Sequence, residues 1–287
     1  MKPLIWVAMF IIGLGITLVG WAFWLEPASL RVAENRLSIS TWPSTCDGLR
    51  IAVLADLHIG SPFNGLDRLN EVIEQTNKAA PDLVLLPGDF VIQDVVGGTF
   101  VPPEEAAKRL KNLHAPIGVF AVLGNHDWVL GADRVKAALE TNGIPVLDDK
   151  SQLITHNSCQ LNLVGISDFA EGPHAVKAAL ALTTASAPTL VFTHNPDVFP
   201  EIPKEIALTI AGHTHGGQVF IPGLGRLVIP SKYGDRYAIG HIQELGKHLF
   251  VSSGIGTSIL PVRFLVPPEI TVLEENNIQL DTYVNVT

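Results

Sequence analysis

The chain has 287 residues, enough for one large domain or two small ones with a sizeable core. Its formal net charge of −9 argues against non-specific gripping of nucleic acid, because an acidic surface repels a polyphosphate backbone. With only two cysteines, Cys46 and Cys159, a thiolate metal cage or a disulfide-rich scaffold is excluded; one bridge between them is conceivable, and two unpaired thiols are the expected state.

The first element is an apolar run, Leu4 to Leu25, that carries no charge and one hydroxyl, Thr17. At about 1.5 Å per residue it would span roughly 33 Å as a helix, enough for a hydrocarbon core of about 30 Å. Trp6, Trp21 and Trp24 lie near its ends, where interfacial anchors sit. A cleaved signal peptide is the other reading. The run is longer than a typical signal core and lacks a clear small-x-small cleavage site, so residues 1–25 are expected to be an uncleaved single-pass anchor. Arg31 and Arg36 after the span are mixed with Glu26 and Glu34, so basic residues do not set the orientation. The expected arrangement is that of a signal anchor, with the N-terminus inside and the domain on the outer face.

Residues 26–48 read as a linker with a short alternation at Leu37-Ser-Ile-Ser-Thr41, and residues 49–287 as the domain. Leu49 to Ala55 reads as a buried strand. Gly65 to Ala80 reads as a helix, with Leu66, Leu69, Val72 and Ile73 on one stripe. Asp82 to Leu86 is a second strand. Pro103 to Leu113 suits a helix opened by a proline and two glutamates. Ile117 to Leu123 is a strand and Ala132 to Thr141 a helix. This rhythm means βαβ units and a largely parallel sheet. The second half reads mostly as strands: 160–166, 189–193, 206–210, 219–221, 237–244, 248–251 and 269–273, with a helix at 175–182. The predicted fold class is α/β, a two-sheet β-sandwich flanked by helices and preceded by one transmembrane helix.

Five of the apolar strands end in polar clusters: Asp56-Leu-His58, Gly88-Asp89, Gly124-Asn-His-Asp127, Thr193-His-Asn195 and Gly212-His-Thr-His215. The C-terminal ends of parallel strands share one edge, and ligands bind there. Each cluster alone is explained by turn or cap chemistry. Five together, all of metal-ligand types, point to a metal site. Oxygen and nitrogen donors suit Mn²⁺, Fe or Zn²⁺ better than a thiolate-selected metal. In Asp56-x-His58 and His213-x-His215 the pairs at i and i+2 face one side of an extended chain and can reach one ion or two neighbouring ions. Asp89 is the candidate bridge, since a carboxylate can serve two ions about 3.5–4 Å apart.

In this order the motifs resemble the signature of the calcineurin-like metallophosphoesterases: D-x-H, GD, GNH[DE], a lone H, then GH-x-H. The likeness runs from about residue 50 to 275. GHTHGGQ from Gly212, Pro222 to Gly225, Ser231 to Gly234 and Gly254 to Ser258 are similar to the bacterial membrane-associated branch. The resemblance implies one divalent metal on Asp56, His58, Asp89 and His215, and a second on Asp89, Asn125, His194 and His213. It also implies a β-sandwich flanked by helices. In one departure, Ile92 stands where many members carry an aspartate, which leaves the ligands intact but touches their support or substrate preference.

The expected reaction is phosphoester hydrolysis by a metal-bridged hydroxide, the water's pKa lowered from about 15.7 towards about 7. His126 is free to stabilise or protonate the leaving group, and Asp127 is expected to orient it. A phosphodiester or pyrophosphate is favoured over a monoester on resemblance. Membrane anchorage favours an envelope lipid phosphoester, and a soluble nucleotide stays open. Ile259 to Val266 reads as a core segment before the last strand, with a bilayer-resting or acyl-lining role as the alternative. The rival function is a non-catalytic envelope-binding protein that keeps its metals for structure.

Overall fold

The computed structural model describes residues 2–276. The first helix, α1 (Lys2–Gly20), continues into a π-helical turn, Trp21–Leu25. Residues 3–19 are exposed. Pro3–Leu25 is long and apolar enough to cross a membrane.

Behind it stand two sheets. The first takes β1 (Arg31–Ser38), β2 (Leu49–Val53), β3 (Leu83–Pro87), β4 (Gly118–Val122) and β13 (Glu269–Asn276), in the order β1-β13-β2-β3-β4. Here β2, β3 and β4 run parallel, joined through α2 (Leu66–Lys78) and α3 (Pro103–Leu110). The second takes β5 (Lys150–His156), β6 (Cys159–Ile166), β7 (Thr189–Thr193), β8 (Leu208–Ala211), β11 (Gly240–Glu244) and β12 (Lys247–Val251), in the order β11-β12-β8-β7-β6-β5. Its four inner strands are parallel and its edges antiparallel. A small ribbon, β9 (Phe220–Ile221) with β10 (Gly225–Arg226), stands apart.

Period-two alternation sets the layers. Ile51, Val53, Leu83, Leu85, Phe120 and Val122 face the second sheet and pack on Leu161, Leu163, Leu190, Phe192, Leu208 and Ile210. Ala52, Leu54, Val84 and Leu86 face the other way, onto α2, α3 and α4 (Asn125–Thr141). The outer face of the second sheet is covered by α5 (Val176–Leu180), Phe199 and Tyr237. The result is the expected helix–sheet–sheet–helix sandwich.

Two expectations are corrected. Residues 31–38, read as linker, pair in parallel with β13 along their whole length and belong to the first sheet. Cys46 and Cys159, expected as free thiols, form a disulfide with their Cα atoms 4.6 Å apart. A turn at Ser44–Cys46 carries Cys46 onto the start of β6, and both cysteines are buried. Sequence spacing of 113 residues cannot reveal such a contact, which exists only once the two sheets pack.

Candidate metal centre

The five polar clusters meet where the C-terminal ends of the two sheets come together. Three come from the first sheet (after β2, β3 and β4) and two from the second (after β7 and β8). The Asp89 carboxylate is central. Its Oδ2 lies 3.4 Å from His58 Nε2, 3.3 Å from His194 Nε2 and 3.9 Å from His126 Nε2. His58 Nε2 is 3.1 Å from His215 Nε2, which is 3.7 Å from Asp56 Oδ1. His194 Nε2 is 3.0 Å from both His213 Nδ1 and Asn125 Oδ1. Donor atoms of Asp56, His58 and His215 lie within 4.8 Å of one another, as do those of Asp89, His194 and His213, and of His58, Asp89 and His126. The seven residues named as ligands, and His126, are therefore in one cluster, and Asp127 lies behind it. The five other histidines, 114, 156, 174, 241 and 248, belong to none of these donor groups.

The residues converge by a different route from the one expected. Asp56, His58, Asp89, His213 and His215 all have left-handed φ, between 37° and 70°. The i, i+2 pairs are thus not on extended chain; each strand breaks into a turn that throws its side chains inward. Such conformations are sparsely populated for residues with a Cβ and persist where surrounding structure enforces them. The enforcement is visible. A Cβ on Gly124 would stand 2.2 Å from Asp89 Oδ1, so only glycine admits that carboxylate. Gly256 N–H donates to Asp56 C=O, and the His213 N–H donates to the Asp56 carboxylate.

The expectation that Asp127 orients His126 is corrected. The two Asp127 oxygens accept four backbone N–H groups, those of Asp89, Phe90, Val91 and Gly124. They are saturated by the β3 turn and the start of α4, while His126 Nδ1 has no partner among the described residues. Asp127 therefore shapes the turn that presents Asp89. His126 is held instead through its own N–H, which donates to Asp89 Oδ1 at 3.0 Å, and its ring stands edge-on to His58.

The electrostatics suit a cation. Burial pushes His58 and His213 down to about 3 and takes His215 well below the usual imidazole range, so these rings are neutral and offer lone pairs. Burial raises Asp56 to about 7. Burial also works against the charge on Asp89, but His194, His58 and His126 together hold it well below the carboxylate range. Burial works to lower His194, and Asp89 and Asp56 overcome it to raise the ring to about 10. His194 Nδ1 lies 2.8 Å from the Pro87 carbonyl and so carries a proton, which aims Nε2 at Asp89. A proton and a cation compete for that pair of atoms.

Sequence reasoning missed Arg263, which is fully buried. Its guanidinium donates to the carbonyls of Ser253, Gly254, Gly256 and Val266, bracing the loop that lies against Asp56 and His58. The available signal was a lone charge inside the apolar run Ile259 to Val266. The Asn64 amide, which caps the Leu57 carbonyl, was missed too.

A sandwich of two sheets with an Asp/His/Asn cluster able to bind metal defines the class of this molecule. The calcineurin-like phosphoesterase family matches residues 49–217, and the chain belongs to that family. Phosphodiesterase YaeI of Escherichia coli (strain K12) is 31% identical over 262 residues, covering 89% of this chain and 92% of that protein. The uncharacterized metallophosphoesterase YkuE of Bacillus subtilis (strain 168) is 29% identical over 256 residues and 88% of each chain. UDP-2,3-diacylglucosamine pyrophosphatase LpxG of Chlamydia trachomatis is 25% identical over 311 aligned residues, covering 88% and 91%.

Proposed function

We propose that this protein is a binuclear metal-dependent phosphoesterase, with a phosphodiester or pyrophosphate as substrate. The observation that carries the reading is the pair of donor triads, Asp56 with His58 and His215 and Asp89 with His194 and His213, in which imidazole nitrogens approach to 3.1 and 3.0 Å. The His58 and His215 rings, both held neutral, stand 3.1 Å apart nitrogen to nitrogen, and a cation beside them would take both lone pairs. Asp56, His58, Asp89 and His215 would hold one divalent ion, and Asp89, Asn125, His194 and His213 the other. With only oxygen and nitrogen donors, Mn, Fe or Zn fits. The ions would supply Lewis-acid polarisation of the phosphoryl oxygens and a water acidic enough to ionise near neutral pH.

The chain's own residues do the rest. His126, with its side chain 16% exposed, lies with the half-buried Asn125 and His213 on the open side of the cluster. It stands beside Asp89 without being needed in either ligand set, and gives the leaving oxygen its proton. Asp127 and Arg263 position the Asp89 turn and the loop behind His58.

The disulfide favours an oxidising compartment and therefore a domain on the outer face of a membrane spanned by Pro3–Leu25. That the similar LpxG is by name a pyrophosphatase of a diacylated sugar nucleotide supports an envelope phosphoester over a free nucleotide.

The test is metal analysis of the purified full chain alongside hydrolysis of bis-p-nitrophenyl phosphate. Two divalent ions per chain, activity lost with a chelator and restored by Mn²⁺, are expected. Bound metal with no turnover on any phosphoester would return the protein to a binding role.

A further inference from the structure

Beside the cluster, loops expose large apolar side chains. Ile259 is 69% exposed, Val96 58%, Leu265 50%, Leu260 46% and Phe63 41%. The loops are tied together: the Val96 N–H donates to the Ile259 carbonyl at 3.0 Å, and the Gln218 amide to the Leu260 carbonyl at 3.2 Å. Phe63, Ile259 and Leu265 also hold φ of 65°, 63° and 57°. Bulky and β-branched residues are outliers there, and strain of this kind concentrates at functional surfaces. The run Ile259 to Val266, read as core, is thus divided: Arg263 and Val266 are inside, and Ile259, Leu260 and Leu265 are outside.

This surface is continuous with the apolar helix. Glu26 is buried and accepts the Trp21 indole N–H at 2.5 Å and the N–H groups of Leu265 and Val266 at 2.9 and 2.6 Å. The Arg263 N–H donates to the Ala22 carbonyl at 2.9 Å, and the Arg68 side chain donates to the Ala28 carbonyl. The last turn of the span is therefore stapled onto the loop that carries Leu265, instead of hanging on a tether. The other end of that loop is the site: the Gly256 backbone lies against His58, and Arg263 spans both. An open hollow of about 550 Å³, lined by Gln93 and Asp94 as well as Ile92, Val95, Phe100 and Val129, lies between the loop around Val96 and the helix that begins at Asn125.

We propose that the loops around Val96 and Ile259 to Leu265 form a ledge resting in the bilayer interface beside α1. The site then takes a membrane-embedded amphiphilic phosphoester presented from the bilayer. The proposal rests on reading Pro3–Leu25 as an uncleaved span. A bilayer is the occupant that fits, because the helix that enters it ends on this loop, and exposed apolar surface of this extent needs a cover.

The test uses the full chain in phosphatidylcholine–phosphatidylglycerol vesicles. Ile12→Cys, Leu260→Cys and Leu182→Cys are labelled singly with a fluorophore, the native cysteines being joined to each other. Lipids spin-labelled high on the acyl chain should quench the labels at 12 and 260 and spare 182. Quenching at 12 with none at 260 overturns the ledge and leaves the anchor standing. No quenching at 12 overturns both. The depth readout needs no turnover, so it is independent of the phosphoesterase reading. As a second arm, Ile259→Glu with Leu260→Glu should lower hydrolysis of a vesicle-embedded diacyl phosphoester by about tenfold or more. Hydrolysis of bis-p-nitrophenyl phosphate should stay within about twofold. Equal loss on both substrates, or on neither, overturns the proposal.

Discussion

Asp127 and His126 are neighbours with separable tasks, and two substitutions tell them apart. Asp127→Asn replaces one accepting oxygen by a donor against the N–H groups it now serves. It is expected to destabilise the fold by about 2–3 kcal/mol, because buried N–H groups lose their partner. Thermal unfolding and metal content should fall together. His126→Ala should leave metal content near wild type while turnover on an aryl phosphodiester drops by about 10²-fold or more. Unchanged turnover would remove His126 from the reaction. The donors themselves were legible in the sequence because their types recur at strand ends. Their left-handed turns and the four N–H partners of Asp127 were not. Three of those four partners lie 36–38 residues away in the chain.

Elements were legible in proportion to their burial. The central strands β2, β3 and β7 are continuous apolar runs that end in polar clusters, and their limits were read to within two residues. Edge strands β1 and β5 carry Arg31, Glu34, Arg36, Lys150 and Gln152 and give no such signal. This mixed composition is how sheets protect their edges. Strand β13 carries a conflict of its own. Glu275 is paired in register with Leu37 and Leu49, is fully buried, and has no partner for either oxygen among the described residues. Burial raises it to about 8. The raised value favours the neutral acid in the folded state, so the folded chain binds more protons than the unfolded one between about pH 4.5 and 8. Stability therefore falls as pH rises through that window. Glu275→Gln should match wild type near pH 4 and exceed it by about 2–4 kcal/mol above pH 8. Denaturant titrations at the two pH values check the sign; an advantage confined to low pH would refute it.

At the scale of the molecule, the disulfide joins the turn before β2 to β6 and so links the two sheets whose ends build the site. Replacing both cysteines by serine should cost about 2–5 kcal/mol of stability, read as a lower midpoint in urea. Reductant should shift wild type to that midpoint and leave the variant unmoved. The pairing of β1 with β13 has a further result. The strand that follows the apolar N-terminal helix finds its neighbour only in the last strand described, which lies between it and β2. During synthesis β1 is made early, yet its sheet stays split until residues 269–276 slide into the gap. A chain interrupted before Glu269 would carry an open seam between β1 and β2, in the sheet that supplies Asp56, His58 and Asp89.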